Sequence, residues 1–241
     1  MTSEYIEPSD RALAALFARA SCLLLDFDGP LCRLFAPGHA PAIAQEMLDL
    51  LVDEGVLLED EGLEGNDDPH LIVRAKLEGA LPAQLEALLA GKENLAAESA
   101  EPTSGAEDFV KAVVERGRTL AITTNTAPRS VETYLKARGL HDAFGGRIFG
   151  RSTENPRRMK PDPDCLHRAM DHLRAKPADC LMIGDSPADA LAAQAARVPF
   201  LGYAVSAPRA LLLAQSVGAV PVVVGMDRLI PVVEALDPPK G

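Results

Sequence analysis

From Gly105 onward the sequence alternates between two periodicities, and that alternation restricts the fold more than any other feature. Short apolar runs ("TLAITT", "CLMIG", "PFLGYAV", "AVPVVVG") are separated by stretches with apolar residues at helical spacing, such as "AEDFVKAVVERG", "APRSVETYLKARG" and "DPDCLHRAMDHL". Strands that are apolar throughout are buried on both faces. Strands separated by helices are joined in parallel. An earlier run, "SCLLLDF" at 21–27, is too short and too uniformly apolar for a surface helix and reads as one more buried strand. It follows an amphipathic stretch, 8–20, that Ser9 is placed to cap. The expected fold is α/β, a Rossmann-like parallel sheet with helices on both faces.

The segment 36–104 breaks this rhythm and also the charge balance. It holds fifteen acids against Arg74, Lys76 and Lys92, a net −12, while the rest of the chain carries +1. Helical patterns run near 41–54, 68–79 and 82–98, with a turn-rich break at "DEGLEGNDDP". A single continuous composition break points to a separate unit. The expected organisation is a core of 1–35 and 105–241 interrupted by a helical unit, 36–104, inserted after the first strand.

Several function classes are disfavoured on composition. The overall charge of −11 argues against nucleic acid as a partner. No apolar run approaches the ~20 residues of a membrane span, and the acidic start "MTSEYIEPSD" lacks the pattern of a secretory signal. Cys22, Cys32, Cys165 and Cys180 have no C-x-x-C spacing and sit among apolar residues, as reduced core cysteines of a cytoplasmic protein do.

Ligands of open α/β sheets bind beyond the carboxyl ends of the strands. There the sequence places Asp26 and Asp28, then Thr123, Thr124 and Asn125, then Lys160 in "RRMKPDP", and finally Gly184, Asp185 and Ser186 with Asp189 behind them. Strand periodicity puts Asp26 and Asp28 on one side and Phe27 on the other. Carboxylates converging on one spot repel, and a hard divalent cation with oxygen ligands relieves this; Mg²⁺ is usual where phosphate also binds. A threonine hydroxyl, helix N-terminal amides and the Lys160 ammonium suit a phosphoryl group. Gly29 and Gly184 read as backbone-geometry residues. His39 and His70 have no metal-ligand spacing and read as surface or cap-core residues.

The motifs "DFDGP", "TTN", "KPDPD" and "GDSPAD", in that order and at those strand ends, resemble the haloacid dehalogenase-like superfamily of phosphohydrolases, over 21–35 and 105–236. The inserted segment lies where that family carries its C1 cap; Pro30 departs from the usual Thr or Val. The resemblance implies Asp26 as nucleophile through an aspartyl-phosphate and Asp28 as acid and base. It implies Mg²⁺ held by Asp26, the Asp28 carbonyl and Asp185 with Asp189 behind, and phosphate held by Thr124, Asn125 and Lys160. Thr123 competes with Thr124 for that role, and Asp189 also reads as an ordinary first-turn helix acid. Arg33, Arg74 and Lys76 are the candidates for contacting the leaving group.

The expected function is hydrolysis of a small phosphomonoester (phosphoglycolate-like, sugar phosphate or nucleotide) by a monomer or dimer. A phosphomutase of the same superfamily and a non-catalytic phospho-ligand binder are the alternatives. Dehalogenation is disfavoured by Asp28, which a carbon-centred displacement does not need. A receiver domain is disfavoured by the 69-residue insertion after the first strand. A net −12 beside a site that admits phosphate implies that these acids face solvent, where salt screens them beyond about 8 Å. KM for an anionic-tailed phosphomonoester should therefore change little in a salt titration. A steep fall on adding salt would put the acids in the cleft.

Overall fold

The computed structural model describes residues 7–152, 155, 157–218 and 220–239. The first six residues of the acidic start, and Ala219 of the last predicted strand, lie outside them. Helix α1 (Asp10–Arg19), capped by the Ser9 side chain, leads into β1 (Cys22–Leu25). A short β2 (Cys32–Arg33) follows, then helices α2 (His39–Asp53), α3 (Leu58–Glu61), α4 (Pro69–Val73) and α5 (Leu81–Ser99), and then β3 (Glu101–Pro102). From there the order is α6 (Ala106–Glu115), β4 (Thr119–Thr123), α7 (Pro128–Ala137), α8 (His141–Phe144), β5 (Ile148–Phe149), α9 (Asp164–Leu173) and β6 (Cys180–Gly184). The chain ends with α10 (Pro187–Ala196), β7 (Phe200–Ala204), α11 (Ala207–Val217), β8 (Val222–Val224) and α12 (Ile230–Glu234).

Six strands form one parallel sheet in the order β5-β4-β1-β6-β7-β8. β1 is its centre, paired with β4 and β6 along its whole length. Its four residues are all buried and alternate between faces. Leu23 and Leu25 pack with Phe17, Phe109, Val113 and Val131 from α1, α6 and α7, while Cys22 and Leu24 pack with Leu166, Ala169 and Ala193 from α9 and α10. This two-sided burial is why the strand reads as continuously apolar.

Residues between β2 and β3 build a third apolar cluster, with Ile43, Met47, Leu51, Ile72, Leu85 and Leu89 at its heart. The antiparallel pair β2–β3 joins the segment's entry to its exit, Cys32 opposite Pro102 and Arg33 opposite Glu101. The segment is not detached: Ala97 of α5 belongs to the main core, Met159 reaches into the helical cluster, and α5 lies against α7. All four cysteines are buried and free. No described helix is long and apolar enough to cross a membrane.

Three local expectations are corrected. The helix predicted over 68–79 stops at Val73, because Leu77 turns inward to be buried in this third cluster and Gly79 adopts φ 68°. The turn-rich break is entered through a four-residue helix, α3, that its glycines hid. The last predicted helix begins as a 3-10 turn, Asp227–Leu229, before α12. Leu24→Ala should cost about 2–5 kcal/mol by urea denaturation, because a central-strand cavity cannot collapse. Leu212→Ala, on an exposed face, should stay within about 0.5 kcal/mol.

Candidate active site

The sheet brings the motifs together because β1 lies between β4 and β6, so the three strand ends that carry acids, threonines and "GDS" are adjacent. Asp26 extends β1: its N–H donates to the Ile183 carbonyl at 2.9 Å. Its Oδ1 accepts from the Phe27 N–H at 2.8 Å and meets Lys160 Nζ at 2.8 Å. Phe27 points away, buried edge-on against Tyr134 with ring centroids 5.3 Å apart. Asp28 turns back over the loop, Oδ1 accepting from the Leu34 N–H at 2.8 Å. Gly29 has φ 105°, and a Cβ there would collide with the Asp185 carboxylate. Its missing side chain is what lets the β1 loop and the β6 end approach.

Lys160 is buried at the centre. Nζ contacts Asp26 Oδ1 at 2.8 Å and Asp189 Oδ1 at 2.5 Å, and donates to the Thr123 carbonyl at 3.0 Å. Asn125 pins the lysine's backbone from both sides: its Oδ1 accepts from the Lys160 N–H at 2.7 Å and its Nδ2 donates to the Lys160 carbonyl at 3.1 Å. Thr124 and Asn125 line the cavity, whereas the Thr123 hydroxyl is buried in contact with Met182 Sδ. The alternation of β4 therefore places Thr124, not Thr123, at the site.

Asp189 has two structural tasks. Its Oδ2 accepts from the Asp185 N–H, the Ser186 N–H and the Ser186 hydroxyl, closing a capping box at the start of α10, while Oδ1 holds Lys160. Gly184 is required beside it, since a Cβ there would collide with Asp189.

Carboxylate oxygens of Asp26, Asp185 and Asp189 lie within 4.8 Å of one another. Burial first, then Asp189, push Asp26 up to about 6, against the pull of Lys160. Burial also raises Asp28, opposed by its bond from the Leu34 N–H. Asp185 opens onto the cavity, yet the protein packed around it, then Asp189, Asp26 and Asp28, raise it well above the usual carboxylate range. Burial works against the charge of Lys160, but Asp189 and Asp26 outweigh it and hold the ammonium above its ordinary value. Four carboxylates against one ammonium leave an excess of negative charge. The donors are all oxygen, which fits a hard divalent cation.

These groups open into a cavity of about 850 Å³. Of the three leaving-group candidates, Arg33 and Arg74 line it, and Lys76 is exposed and does not. Arg33 is paired with Glu101 at 2.9 Å. His70 also lines the cavity, with Nε2 3.4 Å from buried Glu93 Oε1 and Nδ1 3.7 Å from Asp68 Oδ1, which corrects its reading as a surface or cap-core residue. Of the fifteen acids in the inserted segment twelve are exposed, and Asp68 is the one of them on the cavity wall.

One cluster beside the site had no sequence signal. Arg151, fully buried, meets Glu86 Oε2 at 2.6 Å and both Glu93 oxygens at 2.9 and 3.0 Å, and donates to the Asn125 carbonyl at 2.6 Å. Glu93 Oε2 also accepts from the Ala127 N–H at 3.0 Å. "FGRST" carries no pattern that separates such an arginine from a surface one, and its partners lie 58 and 65 residues earlier.

Residues 20–197 match the profile of the haloacid dehalogenase-like hydrolases. A phosphoglycolate phosphatase of Rhodobacter capsulatus is 33% identical over 195 residues, 76% of this chain and 84% of that protein. Pyrophosphatase PpaX of Halalkalibacterium halodurans is 35% identical over 107 residues, 44% of this chain; the chain spans 48% of that relative, under half its length. Among solved structures, a predicted phosphatase from Clostridium acetobutylicum superposes with a TM-score of 0.65 at 19% identity, over 89% of this chain and 98% of that one. CbbY from Rhodobacter sphaeroides, in complex with phosphate, gives 0.61 at 18% identity over 87% and 96%. At such identities these two structures establish likeness of fold.

Protons and a cation compete for the same oxygens. Mg²⁺ should therefore raise the melting temperature, and do so more on the alkaline side of about 6, where Asp26 has lost its proton, than on the acid side. An Mg²⁺-induced shift that is equal on both sides would contradict this carboxylate assignment.

Proposed function

This chain belongs to the haloacid dehalogenase-like hydrolases, and from that premise we propose that it hydrolyses small phosphomonoesters through an aspartyl-phosphate, with Mg²⁺ as cofactor. The observation that carries the reading is the buried Lys160 clasped between Asp26 and Asp189 beside the Thr124 loop. A lysine so held does two things: it keeps Asp26 aimed, and it leaves a positive charge where a phosphoryl oxygen arrives. Asp26, on the cavity wall with Oδ1 fixed by an amide and an ammonium, is the nucleophile. Its attack on phosphorus forms the acyl-phosphate and expels the leaving oxygen.

Asp28 supplies the proton. Burial raises it, so it holds a proton more readily than a solvated aspartate, and the Leu34 N–H fixes one oxygen while leaving the other for the leaving group. Having lost that proton, Asp28 takes one from the water that opens the acyl-phosphate. Thr124 and Asn125 bound the phosphate pocket; Thr124 offers its hydroxyl, and Asn125 keeps Lys160 in place through its backbone. Asp26, the Asp28 carbonyl and Asp185 would hold Mg²⁺, with Asp189, already engaged by Lys160 and the α10 amides, behind them. When bound, the ion neutralises the charge that an anionic nucleophile and an anionic substrate bring together.

The substrate is a small phosphorylated metabolite. Arg33, Arg74 and His70 give part of the cavity wall a cationic or hydrogen-bonding character, which suits an anionic or hydroxylated leaving group. Relatives named for phosphoglycolate support the same size class. The helical segment 36–104 acts as the cap over this cavity, and its role is that of a leaving-group wall.

Asp26→Asn should abolish turnover of a generic aryl phosphate while leaving the fold intact, since an amide cannot form the acyl-phosphate. Retention of a tenth of the wild-type rate would rule out Asp26 as nucleophile. Asp28→Asn should cut kcat by about 10²–10⁴-fold while inorganic phosphate still binds. Chelation of Mg²⁺ should stop wild-type turnover, and an undiminished rate in chelator would remove the metal from the reading.

A further inference from the structure

The buried cluster around Arg151 lies outside the roles assigned above, and its chemistry is unusual enough to need a reason. Three charged side chains, Arg151, Glu93 and Glu86, meet where water is excluded or scarce. Removing such charges from water is costly, and replacing a buried ion pair by apolar residues is often neutral or stabilising. Stability alone is therefore a poor account of the cluster. Its bonds are also aimed: two of them go to backbone atoms of the phosphate-binding loop rather than to other side chains. Arg151 Nη1 donates to the Asn125 carbonyl and Glu93 Oε2 accepts from the Ala127 N–H. The backbone closes the loop further, with the Arg151 N–H donating to the Thr126 carbonyl at 3.1 Å. Within the loop, Thr124 Oγ1 accepts from the Thr126 N–H at 3.2 Å.

We infer that Arg151 is a positioning residue, held from the cap by Glu93, that sets the geometry of the Thr124–Ala127 loop. This rests on the phosphatase reading for its kinetic consequence, but not for its structural one. Glu93 and Glu86 both belong to α5, so the cap's last helix is part of the scaffold of the phosphate pocket and not only a wall for the leaving group. Burial penalises the Arg151 charge, yet Glu93 and Glu86 hold the guanidinium above its ordinary value. Against burial, His70 and Arg151 together keep Glu93 ionised, below the usual carboxylate range. Arg151 and Glu93 are thus both held in their charged forms, while burial raises Glu86 against the pull of Arg151. Its planar fork reaches three acceptor groups at once, which a lysine ammonium cannot match in geometry. On its cavity side, Glu93 ends at His70, so the same carboxylate faces both the leaving-group wall and the phosphate loop.

The test compares Glu93→Gln, Arg151→Lys and Glu86→Gln in the full-length protein. Glu86 touches Arg151 but makes no bond to the loop, so its variant reports the effect of weakening the cluster alone. Hydrogen exchange at residues 124–127 should rise in Glu93→Gln and Arg151→Lys, with β1 and β6 as protected as in the wild type. Glu86→Gln should leave loop exchange at the wild-type level. With Mg²⁺ and a neutral-tailed aryl phosphate, below the melting transition, Glu93→Gln and Arg151→Lys should lose up to about a hundredfold in kcat, the scale of an ångström-sized misplacement. Glu86→Gln should keep kcat within a few-fold.

If loop exchange and kcat follow only the loss of melting temperature, equally in all three variants, the cluster is structural and the inference is overturned. Unchanged loop exchange in both Glu93→Gln and Arg151→Lys also overturns it. A wild-type protein that turns over no phosphomonoester defeats the functional reading instead, while the exchange data still decide the role of Arg151.

Discussion

The site is organised by one buried cation. Lys160 Nζ touches Asp26 and Asp189 and donates to the Thr123 carbonyl, so a single ammonium ties together the ends of β1 and β4 and the start of α10. At an effective dielectric near that of a protein surface, a contact at this distance is worth on the order of 5 kcal/mol before desolvation is subtracted. Neither the lysine nor the aspartates would be tolerable there alone. Removing one member would strand the others, so these residues act as a set. The set is also unbalanced, with four carboxylates at the strand ends against one lysine, an all-oxygen donor set of the kind that fits a hard divalent cation.

The glycines follow from this crowding. Gly29 and Gly184 each face a carboxylate that a Cβ would strike, Asp185 in one case and Asp189 in the other. The strand ends can close around Lys160 only if both positions lack side chains. Asn125 contributes in the same way from the opposite side, gripping the Lys160 backbone through both amide atoms. Around that centre the inserted helices supply what the sheet lacks: a cavity wall bearing His70 and Arg74, and the α5 glutamates that hold the buried Arg151 against the Asn125 carbonyl. The strongly acidic composition of the insertion does not conflict with an anionic ligand, because most of those acids point to solvent and the few that turn inward, Asp68, Glu86 and Glu93, sit beside cationic or imidazole partners.

The sheet and the acids at its strand ends were legible in the sequence because their signals are local. A strand buried on both faces has to be apolar at every position, as "CLLL" and "CLMIG" are, and strand-end chemistry is written within two or three residues of the last apolar one. Asp26, Asp28, Thr124 and Asp185 could be named for that reason, whereas Lys160, far beyond the end of β5, was marked only by its motif "KPDPD". What only the tertiary structure decided were the choices that depend on distant partners. Thr124 rather than Thr123 faces the cavity because of the phase in which β4 enters the sheet. Arg74 reaches the cavity from the end of α4, and Lys76, beyond that end and beside the buried Leu77, does not. His70 and the Arg151–Glu93–Glu86 cluster left no trace in the sequence, since a buried ion pair and a solvated one use the same letters. Only folding, which brings residues 58 and 65 positions apart into one dry contact, distinguishes them.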